Sequence, residues 1–276
     1  MPVELRKVRS LFERTLKIRD SRFLLREVAH RMNERLSVMK IEPRRVLDAG
    51  CGEGFDLQKL TGQFPEACIV GLDASWPLLR EARNQLQSRE QKPDFVCGDF
   101  GRSPFLTGSF DVIWSNLALH WYEENETVFK EWKRILTENG LVLFSSFGPQ
   151  TFANLKKAFE QVDRYAHVLS FPDMRDLGDR LVTAGFAAPV LEREWIDVTY
   201  RDVLKLLADV RAFGGNPLSG SRKGLLGKFQ YEKLLAALNV QRDDANQLTL
   251  RFEIIYGHAF KEERTELREN VIGFYG

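Results

Sequence analysis

Four segments of this sequence place chemistry-bearing residues just after short apolar runs. The first is Val46-Leu47-Asp48-Ala49-Gly50-Cys51-Gly52-Glu53-Gly54. Glycines at a strand-to-helix turn let backbone approach a ligand closely, and the helix N-terminus that follows favours a negative group. The spacing is GxGxG, not the GxGxxG of a dinucleotide site. Asp48, two residues before the first glycine, fits poorly beside a pyrophosphate and well beside a ligand with a cationic centre and an amino group, such as S-adenosylmethionine. Taken alone, the triplet reads equally well as a tight structural turn.

The other three segments add to it. Asp73 ends the second apolar run, at about the separation where an acid accepts hydrogen bonds from ribose hydroxyls; its alternative role is capping a helix starting near Ser75. Gly98-Asp99-Phe100 follows the third run, where a carboxylate can accept from an adenine amino group while the aromatic lies on the ring. Ser115-Asn116-Leu117-Ala118-Leu119-His120-Trp121 follows the fourth. In open parallel sheets the ligand sits at these strand ends, so the series reads as a nucleotide-like site.

The elements that must position these residues alternate. Apolar runs at 46–47, 67–72, 95–96, 110–114 and 141–144 are separated by helical stretches over 56–63, 79–86 and 127–136, which predicts a parallel sheet covered on both faces. Before them, Leu24, Val28, Met32 and Leu36 repeat every fourth residue, so residues 1–42 read as a helical arm ending before Pro43. After Pro149 the spacing predicts helices over 151–165, 174–184, 203–213 and 229–238. Strands follow at 194–200 and 248–256, the last antiparallel, with a Gly/Ser/Pro loop over 214–224. The expected organisation is one α/β domain over 1–276: an arm (1–42), a ligand-binding core (43–148), and substrate-side helices with the last two strands (149–276).

Composition excludes several classes. With 40 Lys+Arg against 39 Asp+Glu the net charge is +1, which removes the simplest case for a nucleic-acid binder. Cys51, Cys68 and Cys97 form an odd, dispersed set without CxxC spacing, so neither a disulfide framework nor a metal site is expected. No apolar run approaches a membrane span, and no apolar signal core opens the chain. A cytoplasmic protein without membrane association is the expectation.

On these residues the sequence resembles the class I S-adenosylmethionine-dependent methyltransferases over roughly 43–148. The resemblance implies a Rossmann-like, seven-stranded sheet. It also implies S-adenosylmethionine held by Asp48, Gly50, Gly52 and Gly54, by Asp73 at the ribose, by Asp99 and Phe100 at the adenine, and by Asn116. Phe147–Phe152, Leu206–Pro217, Ser221–Gly227 and Phe252–Phe260 are similar to the malonyl-acyl-carrier-protein O-methyltransferases of biotin synthesis. Ser21–Val28 departs from them and looks more like a branch that includes the methyltransferase-like assembly factors of respiratory complex I.

The activity so implied is methylation of the free carboxylate of a malonyl thioester, on acyl carrier protein or coenzyme A. Such a carboxylate is already ionised at neutral pH, so no general base is required, and catalysis is mostly positioning. A guanidinium is the natural carboxylate grip, and Arg211 and Arg222 are candidates, with Asn216 nearby. His120 and Trp121 sit where the acceptor should approach. Trp121 reads best as an apolar wall, and His258 as structural. The acidic carrier protein is expected to dock on residues 201–228, where six basic and two acidic side chains give +4; a solvated helix face is the commoner meaning of such a run. Another small-molecule or protein acceptor, or an assembly factor with little turnover, remain the alternatives.

Overall fold

The computed structural model describes residues 7–10, 13, 22–87, 92–212 and 226–262. Helix α1 (Phe23–Ser37) leads to β1 (Arg45–Ala49), α2 (Phe55–Gln63), β2 (Cys68–Asp73), α3 (Trp76–Leu86), β3 (Asp94–Cys97) and β4 (Phe110–Ser115). A 3₁₀ turn (Leu119–Trp121), α4 (Asn125–Ile135), β5 (Leu136–Phe147), α5 (Ala153–Glu160) and α6 (Met174–Thr183) follow. The described chain closes with β6 (Ala187–Tyr200), α7 (Val203–Ala212), α8 (Lys228–Asn239) and β7 (Leu248–Phe260).

The seven strands form one sheet in the order β3-β2-β1-β4-β5-β7-β6. The first five pair in parallel, and β7 runs antiparallel to both β5 and β6. Alternation along each strand feeds two cores. In β5, Leu141, Leu143 and Phe147 join the core with α1, α2 and α5, while Val142 and Phe144 pack with Val128, Phe129 and Trp132 of α4 and with Leu177 and Leu181 of α6. The order reverses between β1 and its neighbours β2 and β4, and the crevice at their carboxyl ends is where such sheets bind ligands.

The expected sheet is present, and of the arm expected over 1–42 the stretch Phe23–Ser37 is helix, with Leu24, Val28, Met32 and Leu36 all fully buried; residues 1–6, 11–12 and 14–21 lie outside the described residues. Several lengths differ from expectation: β5 extends beyond 141–144 and β7 beyond 248–256, and one helix and one further strand differ for a visible reason. The helix expected over 151–165 is α5 alone: Phe152 lies at φ +62°, and Asp163 accepts from the amide of Tyr165 (2.9 Å), a local turn that competes with helix. The strand expected over 194–200 begins at Ala187. Pro189, a register shift between Ala187 and Val190, and the charged pair Glu192-Arg193 hid its first half. The loop expected over 214–224 lies outside the described residues.

The glutamates of β6 pair with α1, while Arg193 reaches Glu253 of β7 at 3.6 Å. Arg35 donates to Glu192 (2.7 Å) and Glu194 (2.7 Å), Arg31 donates to Glu194 (2.8 Å), and the Arg35 guanidinium lies 4.0 Å from the Tyr256 ring centre. Burial alone would raise the carboxyl of Glu194, but hydrogen bonds from Arg35 and Arg31 outweigh it and hold it below the usual range. A depressed acid adds stability above its unfolded pKa that is lost as pH falls through the folded one. Arg35→Ala is therefore expected to cost about 1–3 kcal/mol at neutral pH. The difference from wild type should shrink below about pH 4, where Glu protonates; urea unfolding at the two pH values checks both.

Candidate active site

The glycine loop joins β1 to α2 with all three glycines in left-handed backbone: Gly50 at φ +86°, Gly52 at +53° and Gly54 at +77°. Their surroundings differ. A Cβ on Gly50 would lie 2.6 Å from that of Ala118, whereas one on Gly52 would meet nothing within 4 Å. Gly50 is thus demanded by packing, while Gly52 faces open space beside the strand ends.

Beneath the loop lie buried acids. Asp48 is 1% exposed, and its Oδ2 has no hydrogen-bond partner among the described residues. Burial pushes its carboxyl well above the usual range, and the charges of Asp56 and Asp73 push further. Asp56 is buried too, and accepts from Trp114 Nε1 at 3.0 Å; its Oδ1 has no partner among the described residues. A buried acid of this kind is well matched to an incoming cation.

Asp73 accepts from the amides of Gly52 (3.0 Å) and Ser75 (2.8 Å), which ties the loop to the end of β2. Ser75, not Asp73, caps α3, through Leu78 N. Asp99 accepts from Gly101 N (2.7 Å) and from the Tyr122 hydroxyl, and burial followed by the Asp99 contact raises the Tyr122 phenol. Phe100 packs in the core 4.7 Å from the Tyr122 ring centre, its edge 3.4 Å from where a Gly50 Cβ would stand.

Asn116 faces inward and outward at once. Its Nδ2 donates to Leu25 O of α1 (3.0 Å) and its Oδ1 accepts from Ser145 Oγ (2.9 Å). Ser145 Oγ also accepts from Leu117 N (2.9 Å), where the backbone bends to φ +46°. Arg22, just before α1, pairs with Glu53 of the glycine loop. The arm helix is therefore fastened to the loop and to the end of β4.

Next to the β4 end is a cavity of about 440 Å³, lined among others by His120, Trp121, Phe147, Phe152, Phe171 and Arg211. His120 packs 4.5 Å from both the Trp121 and Phe147 ring centres. Neither of its ring nitrogens has a hydrogen-bond partner among the described residues, and burial lowers its pKa to about 3. The imidazole is neutral at working pH, with one N–H free to donate. Expected site residues Asn216 and Arg222 lie outside the described residues. Asp56, Tyr122 and the cavity walls from α5 to Phe171 went unseen in the sequence; an acid two residues after the third glycine was the available sign for Asp56.

The methyltransferase domain family matches residues 47–144. The chain is 37% identical to the malonyl-[acyl-carrier protein] O-methyltransferase of Nitrosospira multiformis, over 94% of this chain and 90% of that protein. This chain belongs to that family. The enzyme of the same name from Laribacter hongkongensis is 38% identical over 92% of this chain and 89% of its own length. Among solved structures, the Bacillus YcgJ protein superposes with a TM-score of 0.62 at 16% identity, covering 85% of this chain and 99% of its own. A Haemonchus contortus phosphoethanolamine N-methyltransferase 2 crystallised with S-adenosyl-L-methionine superposes at 0.54 and 17% identity, covering 85% and 52%. These two likenesses concern the fold.

Two outcomes check the loop. Gly50→Ala combines left-handed strain with a steric clash and should destabilise the O-methyltransferase by about 2–4 kcal/mol; Gly52→Ala should cost about 1 kcal/mol yet weaken cofactor binding at least tenfold, read by calorimetry. For Asp48→Asn, the raised folded pKa means wild-type stability falls as pH rises through the ordinary Asp value near about 4. The variant should gain on wild type across that rise in denaturant titrations, while binding the cationic cofactor less tightly.

Proposed function

We propose that this enzyme transfers a methyl group from S-adenosylmethionine to the free carboxylate of malonyl-acyl carrier protein, giving the methyl ester that enters pimeloyl synthesis for biotin. The relatives named for this reaction match nearly the whole chain, and the aromatic cavity beside the glycine loop is the observation in the fold that carries the reading. S-adenosylmethionine, when bound, supplies a transferable methyl on a cationic sulfur. The residues present suit it: Asp48 is a buried acid with an unsatisfied oxygen, and Gly52 leaves room at the loop. Gly50 and Gly54 shape that loop, Asp73 is the ribose acceptor, Asp99 and Phe100 flank the adenine, and Asn116 shapes the far wall.

On the acceptor side the wall strips water from the carboxylate. Phe147, Phe152 and Phe171 offer it no hydrogen bonds, so its charge is less solvated and its attack easier. Reaction of an anion with a cation produces two neutral molecules, and such charge loss is favoured where the dielectric is low. No proton has to move. His120 holds its N–H toward the cavity and donates to the acceptor, which orients the carboxylate without accepting a proton. Trp121 closes the wall. Arg222 and Asn216 contribute to acceptor binding from the segment that follows α7.

The carrier docks on the basic run 201–228, of which 201–212 and 226–228 lie among the described residues. Lys205 is partly spent there, since it pairs with Asp209 at 2.9 Å, so Arg201, Arg211 and Lys228 supply the described share of positive charge. Encounter should slow as salt rises.

Mass spectrometry of malonyl carrier protein incubated with enzyme and S-adenosylmethionine should show one added, esterase-sensitive methyl; an unchanged acceptor sinks the assignment. Because neither a base nor a charged histidine takes part, kcat/KM should be flat from about pH 6 to about pH 8. His120→Phe keeps the ring packing and removes the donor, so kcat should drop about tenfold with cofactor affinity unchanged.

A further inference from the structure

The cavity is too large for the acid it is proposed to take. Its 440 Å³ exceeds what a malonyl group of about six non-hydrogen atoms fills, at about 10–15 Å³ of such space per water-sized group. The space is also graded. Of its lining, His120, Trp121, Phe147 and Phe171 are buried, Tyr231 is half-buried and Arg211 is exposed, which puts the guanidinium on the solvent side. The methyl donor's side of the site is the buried end, next to the glycine loop. An acceptor carboxylate must reach that end to react, which takes it away from Arg211.

Arg211 is thus poorly placed to grip the reacting carboxylate, and no ion pair joins it to a described acid. It closes the last turn of α7, whose Leu207 and Val210 line the same cavity. The arrangement is an apolar channel with a guanidinium at its mouth. A phosphopantetheine arm has the matching order of groups: thioester, methylenes and amides, a branched gem-dimethyl carbon, then a phosphate. Within the channel, His167 is fixed in place, bonded to Asp163 at 2.8 Å and stacked on Phe159 at 4.1 Å, a preset polar partner for an amide of the arm.

We infer that the outer part of this cavity is a subsite for the phosphopantetheine arm, with Arg211 binding the phosphate and not the malonyl carboxylate. The inference rests on the thioester acceptor proposed above. Leu207, one turn before Arg211, and Val210 beside it pack against the gem-dimethyl carbon, and a planar guanidinium suits two phosphate oxygens.

The test uses ligands that have no carboxylate. Binding of 4′-phosphopantetheine and of pantetheine is measured by calorimetry on the full-length protein saturated with S-adenosylhomocysteine. Wild type should prefer the phosphorylated ligand by roughly tenfold, about 1.4 kcal/mol, and Arg211→Ala should bind the two equally, with pantetheine affinity unchanged. Arg211 is exposed, so its loss should leave the fold intact, which the unfolding midpoint confirms. Equal binding of both ligands by wild type, no binding of either, or an undiminished preference in Arg211→Ala would each overturn the inference. If the phosphate preference holds but malonyl carrier protein is not methylated, the arm site stands and the acceptor reading is the one that fails.

Discussion

A carboxyl buried without a counter-ion works against folding, and this protein places two of them, Asp48 and Asp56, under the glycine loop. Neither is paired with a described basic side chain, and only Asp56 has an indole donor, from Trp114. The loop above them accepts three left-handed glycines and a carboxylate tether from Asp73 to Gly52 N. These features make sense together. Burial favours the protonated form of these carboxyls in the empty fold, and an incoming cation would favour their ionised form, so ligand binding and their ionisation are coupled.

Across the crevice the electrostatics are arranged in the opposite sense. The aromatic cavity offers little that stabilises a charge at its buried end, and the one basic-type side chain there, His120, is held neutral by burial. An anion brought to such a place is destabilised relative to water, and the loss of its charge on methylation relieves that. Ground-state discomfort and product neutrality are two sides of one arrangement.

Much of this was legible in the residues. Short apolar runs bounded by turn signals gave the parallel sheet because strands buried on both faces need little else, and the glycines and acids at their ends marked the ligand edge. What stayed hidden depended on long-range partners. Half of β6 was obscured because its inner face meets α1 through Arg31, Arg35 and two glutamates and not through apolar side chains. Tyr122 and Asp56 acquire meaning only through Asp99 and Trp114, 23 and 58 positions away. The cavity wall is assembled from the 3₁₀ turn, the end of β5, α5, the stretch to Phe171, α7 and α8, and no local periodicity describes a surface shared by so many separate segments.

The arm helix has an uneven attachment. Toward its C-terminal end, Arg31 and Arg35 bolt it to the edge strand through several short ion-pair contacts; toward its start it is held over the donor site by Asn116 with Leu25 and by Arg22 with Glu53. A change at Arg22 or Leu25 therefore bears on the glycine loop and the end of β4, whereas one at Arg31 or Arg35 bears on the edge strand.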